Sequence, residues 1–208
     1  VTEADAVVYV VDDDPSVRRA LSRLVRSVGL PVETFPTAKA FLEAPVSDQP
    51  ACLVLDVRLP GPSGLDLQVA LREARRPLPI VFITGFASVS TSVRAMKGGA
   101  VDFLQKPFND QELLDCIQRA IETSRRQRAD QAEQADLGQR HASLTERERQ
   151  VLELVVTGML NKQIAGELGI AEKTIKVHRA RVMDKMRASS VADLVRLAEK
   201  LGLRRAKP

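Results

Sequence analysis

Five side chains of compatible chemistry stand at the ends of four apolar runs in the first half of this 208-residue chain. Asp12 and Asp13 follow Val7–Val11, Asp56 follows Cys52–Leu55, Thr84 follows Ile80–Ile83, and Lys106 comes two residues after Val101–Leu104. Short runs rich in Val, Ile and Leu suit strands buried on both faces of a parallel sheet. In such sheets functional groups collect beyond the C-terminal strand ends. Three carboxylates converging on one rim repel one another unless a hard cation lies among them, and Mg2+ accepts such oxygen ligands while keeping some of its waters. A carboxylate held in this way can attack a phosphoryl group and become an acyl phosphate. The metal, a lysine and a hydroxyl would then stabilise charge on the transferred oxygens. Aspartate is also common after strands because it caps helices, and Asp14 needs no other role. Capping alone does not account for these groups at four strand ends in this order.

The elements that must position the rim can be read from the same stretch. A weaker run, Val32–Phe35, supplies a fifth strand. Between the strands, Val17, Leu21, Leu24, Val25 and Val28 share one helical face, with Asp14 as cap, Pro15 at the first helical position and Gly29 after the end. Leu65, Leu67, Val69 and Leu71 form a less regular pattern in a third helix, and Leu113, Leu114, Ile117 and Ile121 a clear stripe in a fifth. Strands alternating with helices predict an α/β domain over residues 1–121, a doubly wound, five-stranded parallel sheet.

Composition changes beyond residue 121. Ser124–Arg140 is rich in Arg, Gln, Glu, Asp and Ala, with Leu137 its only large apolar residue. Such residues form helix readily but have little to bury, so 122–143 reads as a linker, either a helical extension of the fifth helix fraying near Gly138 or a flexible tether. From 144 onward every pattern is helical. Thr145 and Glu148 have the spacing of a capping box, and the first helix ends at Gly158. Asn161 is expected to cap the second helix, which ends at Gly169. Ala171–Met186 and Val191–Leu201 follow, and Arg204–Pro208 reads as a disordered tail.

Charge divides along the same boundaries: residues 1–120 carry a net −2, residues 121–143 a net 0, and residues 144–208 a net +6. A basic second half suits an anionic partner, although a solvated surface would look the same. No apolar run is long enough to span a membrane, and the first residues lack a signal-peptide layout. Cys52 and Cys116 sit in apolar segments and read as small buried hydrophobes. The chain is expected to be cytoplasmic.

The strings VVDDD, LVLDVRLPGPSGL, PIVFITG and VDFLQKPF over residues 6–121 resemble the receiver domains of two-component response regulators. The resemblance implies a flavodoxin-like fold with Asp56 as phosphoacceptor. It also implies Mg2+ ligation by Asp13, Asp56 and the backbone carbonyl of Arg58, with Asp12 acting through a water. Thr84 would contact the phosphoryl group, Lys106 would pair with it, and the Lys106–Pro107 bond would be cis. Phe103 occupies the family's aromatic switch position, where a Phe could equally be plain core. Phe86 is bulky where such domains often carry a polar residue, and Gly98 with Gly99 is expected to loosen the end of the fourth helix. Phosphatases and mutases also phosphorylate an aspartate, but they usually place an acid/base residue close after it. Arg58 stands two positions after Asp56, so no enzyme acting on external substrates is expected, only weak autophosphatase activity.

At about 100° per residue, Ile175, His178, Val182 and Met186 fall on one side of Ala171–Met186. Lys173, Lys176, Val177, Ala180, Arg181 and Asp184 fall opposite, joined by Arg187 just beyond. That outer face suits DNA phosphates and major-groove base edges, or simply water. The segment LTERERQVLELVVTGMLNKQIAGELGIAEKTIKVHRARVMDKM resembles the LuxR-type helix-turn-helix of response regulators of the FixJ and NarL kind, over about residues 143–201. By position, Lys176 and Val177 would meet the major groove, while Lys162, Thr174 and Arg181 would hold phosphates. The implied architecture is an α/β receiver joined by a linker helix to an all-α four-helix domain, 144–208. The implied function is phosphorylation by a cognate histidine kinase, homodimerisation and promoter binding that regulates transcription, with RNA polymerase a further partner.

Overall fold

The computed structural model describes residues 6–203 except positions 46, 77 and 87, so the tail read as disordered lies outside the described residues. The chain divides into two compact units, Val1–Arg128 and Ala129–Pro208.

In the first unit, β1 (Val7–Val11), α1 (Pro15–Ser27), β2 (Val32–Phe35), α2 (Ala38–Glu43), β3 (Ala51–Asp56), α3 (Gly64–Glu73), β4 (Ile80–Thr84), α4 (Val89–Lys97) and β5 (Asp102–Gln105) alternate before α5 (Asp110–Ala142). All sheet pairings are parallel, and the strand order is β2-β1-β3-β4-β5. Every residue of β1, β3 and β4 is buried, as strands covered on both faces require. One face packs Val8, Val10, Cys52, Val54, Val81 and Ile83 against α1 and α5 through Leu21, Val25, Leu113 and Ile117. The other packs Tyr9, Leu53, Leu55 and Phe82 against α2, α3 and α4 through Phe41, Leu67 and Ala95.

The ladder differs from the apolar runs at its ends. β3 takes in Asp56 and β4 takes in Thr84, because each still has a neighbour to pair with. β5 begins at Asp102 rather than Val101: it is an edge strand pairing only with β4, from Asp102 opposite Val81 to Gln105 opposite Thr84. In α3, Val69 is 42% exposed and Gln68 is buried with Leu65, Leu67 and Leu71, since a helical period places 68, not 69, on the face shared with 65 and 71.

In the second unit, α6 (Glu146–Val156), α7 (Asn161–Leu168), α8 (Glu172–Met186) and α9 (Val191–Lys200) surround Val151, Leu152, Val155, Ile164, Ile175, Val182, Met186 and Leu194. Leu137, near the end of α5, is buried in this cluster, so the segment read as a linker with little to bury supplies core. α5 is continuous through Gly138. Thr145 and Glu148 form the capping box. Asn161 does not cap α7: Leu160 holds the cap position and its amide donates to the Gln163 side chain at 2.8 Å. That leaves the Asn161 Oδ1 to accept from Arg179 at 2.9 Å. Among the described residues, no helix is long and apolar enough to cross a membrane.

Candidate functional site

The strand order reverses direction between β1 and β3, and the chain leaves these two strands toward opposite faces, opening a crevice at their C-terminal ends. Register carries the rim across the sheet: Val11 lies opposite Leu55, Asp56 opposite Ile83, and Thr84 opposite Gln105. Asp12, Asp56, Thr84 and Lys106 therefore stand at four adjoining strand ends. Asp12 and Thr84 are fully buried, Asp56 is 7% exposed, and Asp13 is exposed.

The Lys106 ammonium donates to Asp12 Oδ2 and Asp56 Oδ2, both at 2.7 Å. Burial alone would push this ammonium's pKa down, but the two carboxylate hydrogen bonds outweigh it and hold the lysine above its ordinary value. Asp12 is raised, chiefly by burial, against the opposing pull of Lys106. Asp12, Asp13 and Asp56 each offer a carboxylate oxygen, and the three atoms lie within 4.8 Å of one another. Acceptor-only oxygens of this number and spacing fit a hard divalent cation, which would relieve repulsion that a single lysine cannot cancel.

Local backbone chemistry fixes each group. The Arg58 amide donates to Asp56 Oδ1 at 2.9 Å, and the Asp14 amide to Asp12 Oδ1 at 2.9 Å. Thr84 Oγ1 accepts from the Phe86 amide at 3.3 Å, and the Lys106 amide donates to the Thr84 carbonyl at 2.8 Å. The Lys106–Pro107 bond is cis. The Arg58 guanidinium lies 4.2 Å from the centre of the Phe86 ring. Phe103 is half-buried, 6.3 Å from Phe82 between ring centres.

Two residues of this site escape a reading of strand ends. Arg18 donates to the carbonyls of Asp12 and Asp13 at 2.7 and 2.9 Å, bracing the turn that presents both acids. Its one signal in the sequence is a basic side chain one turn beyond the Asp14 cap. Gly64 starts α3 hard against β3: a Cβ there would lie 2.2 Å from the Asp56 carbonyl oxygen. Both cysteines are free and buried, and burial pushes both thiols up, Cys116 to about 11.

In the second unit, Lys162, Lys173, Thr174, Lys176, Val177, Ala180, Arg181, Asp184 and Arg187 are exposed, while Ile175, Val182 and Met186 are buried. His178 is partly buried, as its place on the inner side of the wheel implies. Lys176 pairs with Glu172 at 3.3 Å on the exposed surface, a contact weak enough to exchange for another anion.

Comparison with known proteins accounts for both units. Residues 8–118 match the family described as the response regulator receiver domain, and residues 142–198 match the luxR family of bacterial regulatory proteins. Nodulation protein W of Bradyrhizobium diazoefficiens is 53% identical, over 97% of this chain and 90% of its own. The transcriptional regulatory protein FixJ of the same organism is 44% identical, over 94% and 96%. Among solved structures, the response regulator StyR is 51% identical with a TM-score of 0.85, covering 95% of this chain and all of that one. The chain therefore belongs to the response regulators of the FixJ kind, in which a receiver domain precedes a LuxR-type regulatory domain.

Proposed function

We propose that Asp56 accepts a phosphoryl group from a cognate histidine kinase and that the modified receiver controls binding of promoter DNA by the second unit. The observation that carries this reading is the Lys106 ammonium shared at 2.7 Å between Asp12 and Asp56, on a rim where three carboxylates converge. An Asp56 carboxylate oxygen attacks phosphorus, the phosphorus–nitrogen bond to the kinase histidine breaks, and the electron pair leaves with the imidazole. Asp12, Asp13, Asp56 and the Arg58 carbonyl would hold a divalent cation such as Mg2+, which when bound offsets charge on the phosphoryl oxygens. Lys106 then turns to the phosphoryl oxygens, and the Thr84 hydroxyl contacts them. Phe103 follows Thr84 inward. Slow return of the phosphoryl group to water makes the receiver a weak autophosphatase.

The exposed side chains of Phe86, Val89, Val93 and Met96 give the α4 side of the receiver an apolar surface that supports phosphorylation-dependent homodimerisation. Paired second units then engage a two-fold site, with Lys176 and Val177 in the major groove and Lys162, Thr174 and Arg181 on phosphates. The regulator acts in the cytoplasm and activates transcription through RNA polymerase.

The reading is tested by Asp56→Asn. Wild type treated with a small acyl-phosphate donor should dimerise in sedimentation and bind duplex DNA more tightly, whereas the variant should fold normally and respond in neither assay. Normal phosphate-stimulated DNA binding by the variant would refute the proposal. Lys162→Ala should lower duplex affinity and reduce the slope of log affinity against log salt by about one. An unchanged slope would remove Lys162 from the phosphate-neutralising set.

A further inference from the structure

We propose that Gln68, Gly98 and Gly99 form the fixed pivot about which α4 reorients when the receiver is phosphorylated, an inference that rests on the phosphoacceptor reading above. The glycine pair looks in sequence like a loosened helix end, and its geometry is otherwise. Gly98 has φ −72° and ψ −6°, a conformation open to any residue. A Cβ there would lie 2.4, 2.7 and 2.8 Å from Oε1, Cδ and Nε2 of Gln68. Glycine at 98 is thus the space occupied by the Gln68 carboxamide. That side chain comes from α3, is 6% exposed, and donates through Nε2 to the Ala95 carbonyl in the last turn of α4 at 3.0 Å. Gly99, at φ +94°, turns the chain toward β5, a conformation that favours glycine.

The joint is tied to the phosphoacceptor strand. α3 begins at Gly64, whose amide donates to the Val57 carbonyl at 2.9 Å, and whose lack of a side chain lets it sit against the Asp56 carbonyl. One short helix therefore runs from beside Asp56 to the C-terminal end of α4. The rest of α4 is held lightly: Ala95 is its only buried residue, and Val89 is 81% exposed. Its N-terminal end connects within a few residues to Thr84. A displacement at Thr84 then moves the Val89 end while the Ala95–Gly98 end stays, so α4 swings rather than slides.

Amide hydrogen exchange on the full chain, with intact mass recording phosphoryl uptake in each sample, tests this. In wild type, phosphorylation should change exchange across Val89–Val93 and leave Ala95–Ala100 as it was. Gln68→Leu keeps apolar bulk but removes a buried hydrogen bond, and should speed exchange at Ala95–Ala100 about tenfold while uptake at Asp56 persists. It should also weaken phosphorylation-dependent dimerisation. Gly98→Ala should speed exchange at the same amides, and Gln68→Ala added to it should relieve the collision without restoring the bond. Equal phosphorylation-induced changes at both ends of α4 in wild type would overturn the pivot, as would unaltered exchange in Gln68→Leu. Absence of uptake by wild type with its kinase would instead overturn the phosphoacceptor reading, and the pivot with it.

Discussion

Lys106→Ala is expected to slow phosphoryl uptake from a small acyl-phosphate donor about a hundredfold, the usual scale for loss of one charge-stabilising donor. Two roles end together. In the resting receiver the ammonium is shared between Asp12 and Asp56 at 2.7 Å, so its removal leaves these two carboxylates without the cation that bridges them. In the proposed transfer, negative charge building on the phosphoryl oxygens would lose its partner. Lys106→Arg should recover little, because a planar guanidinium does not replace a compact ammonium held between two carboxylates. The initial rate of mass gain is the readout. A rate within a few-fold of wild type would reduce Lys106 to a structural cross-link between strand ends.

The largest stability effect is expected at Glu148, in the second unit. This carboxylate is 2% exposed, accepts from the Thr145 amide at 2.8 Å and from Lys185 at 2.6 Å, and so joins the start of α6 to α8. Glu148→Ala removes half of a capping box and takes from Lys185 its carboxylate partner, leaving it the Ser143 carbonyl at 3.0 Å, and should cost about 2 kcal/mol. Denaturant unfolding, followed by exchange of the α6 amides, measures it. The pH dependence has a definite sign. The Lys185 hydrogen bond holds the Glu148 carboxyl below the usual glutamate value of 4.5. Its contribution is therefore complete above that value and fades as pH falls through the lowered one. The gap between wild type and Glu148→Gln should be wide near neutrality and close in acid. A gap independent of pH would show that packing, not charge, makes the difference.

Strand ends announced the receiver rim because chemistry there is local: an apolar run of fixed length delivers the next residue to the sheet's edge, whatever the loops do. The division of α8 into a buried and an exposed face was legible for the same reason, since Ile175, Val182 and Met186 recur with the helical period. Features that depend on distant partners were not. Nothing beside Gly98 in the chain says that its missing side chain makes room for Gln68, thirty positions earlier. Asn161 has the composition of a cap, yet Gln163 reaches the Leu160 amide and frees Asn161 for Arg179. Leu137 looked isolated among polar residues because its apolar neighbours come from other helices. Arg18 acts on main-chain carbonyls, which carry no residue-type signature.

The most direct test of the central claim is the intact mass of wild type and Asp56→Asn after incubation with Mg2+ and a small acyl-phosphate donor, repeated with a histidine kinase as donor. The account predicts one added phosphoryl group on wild type and none on the variant. Equal addition to both would place the phosphoacceptor elsewhere, and no addition to wild type from either donor would contradict the account.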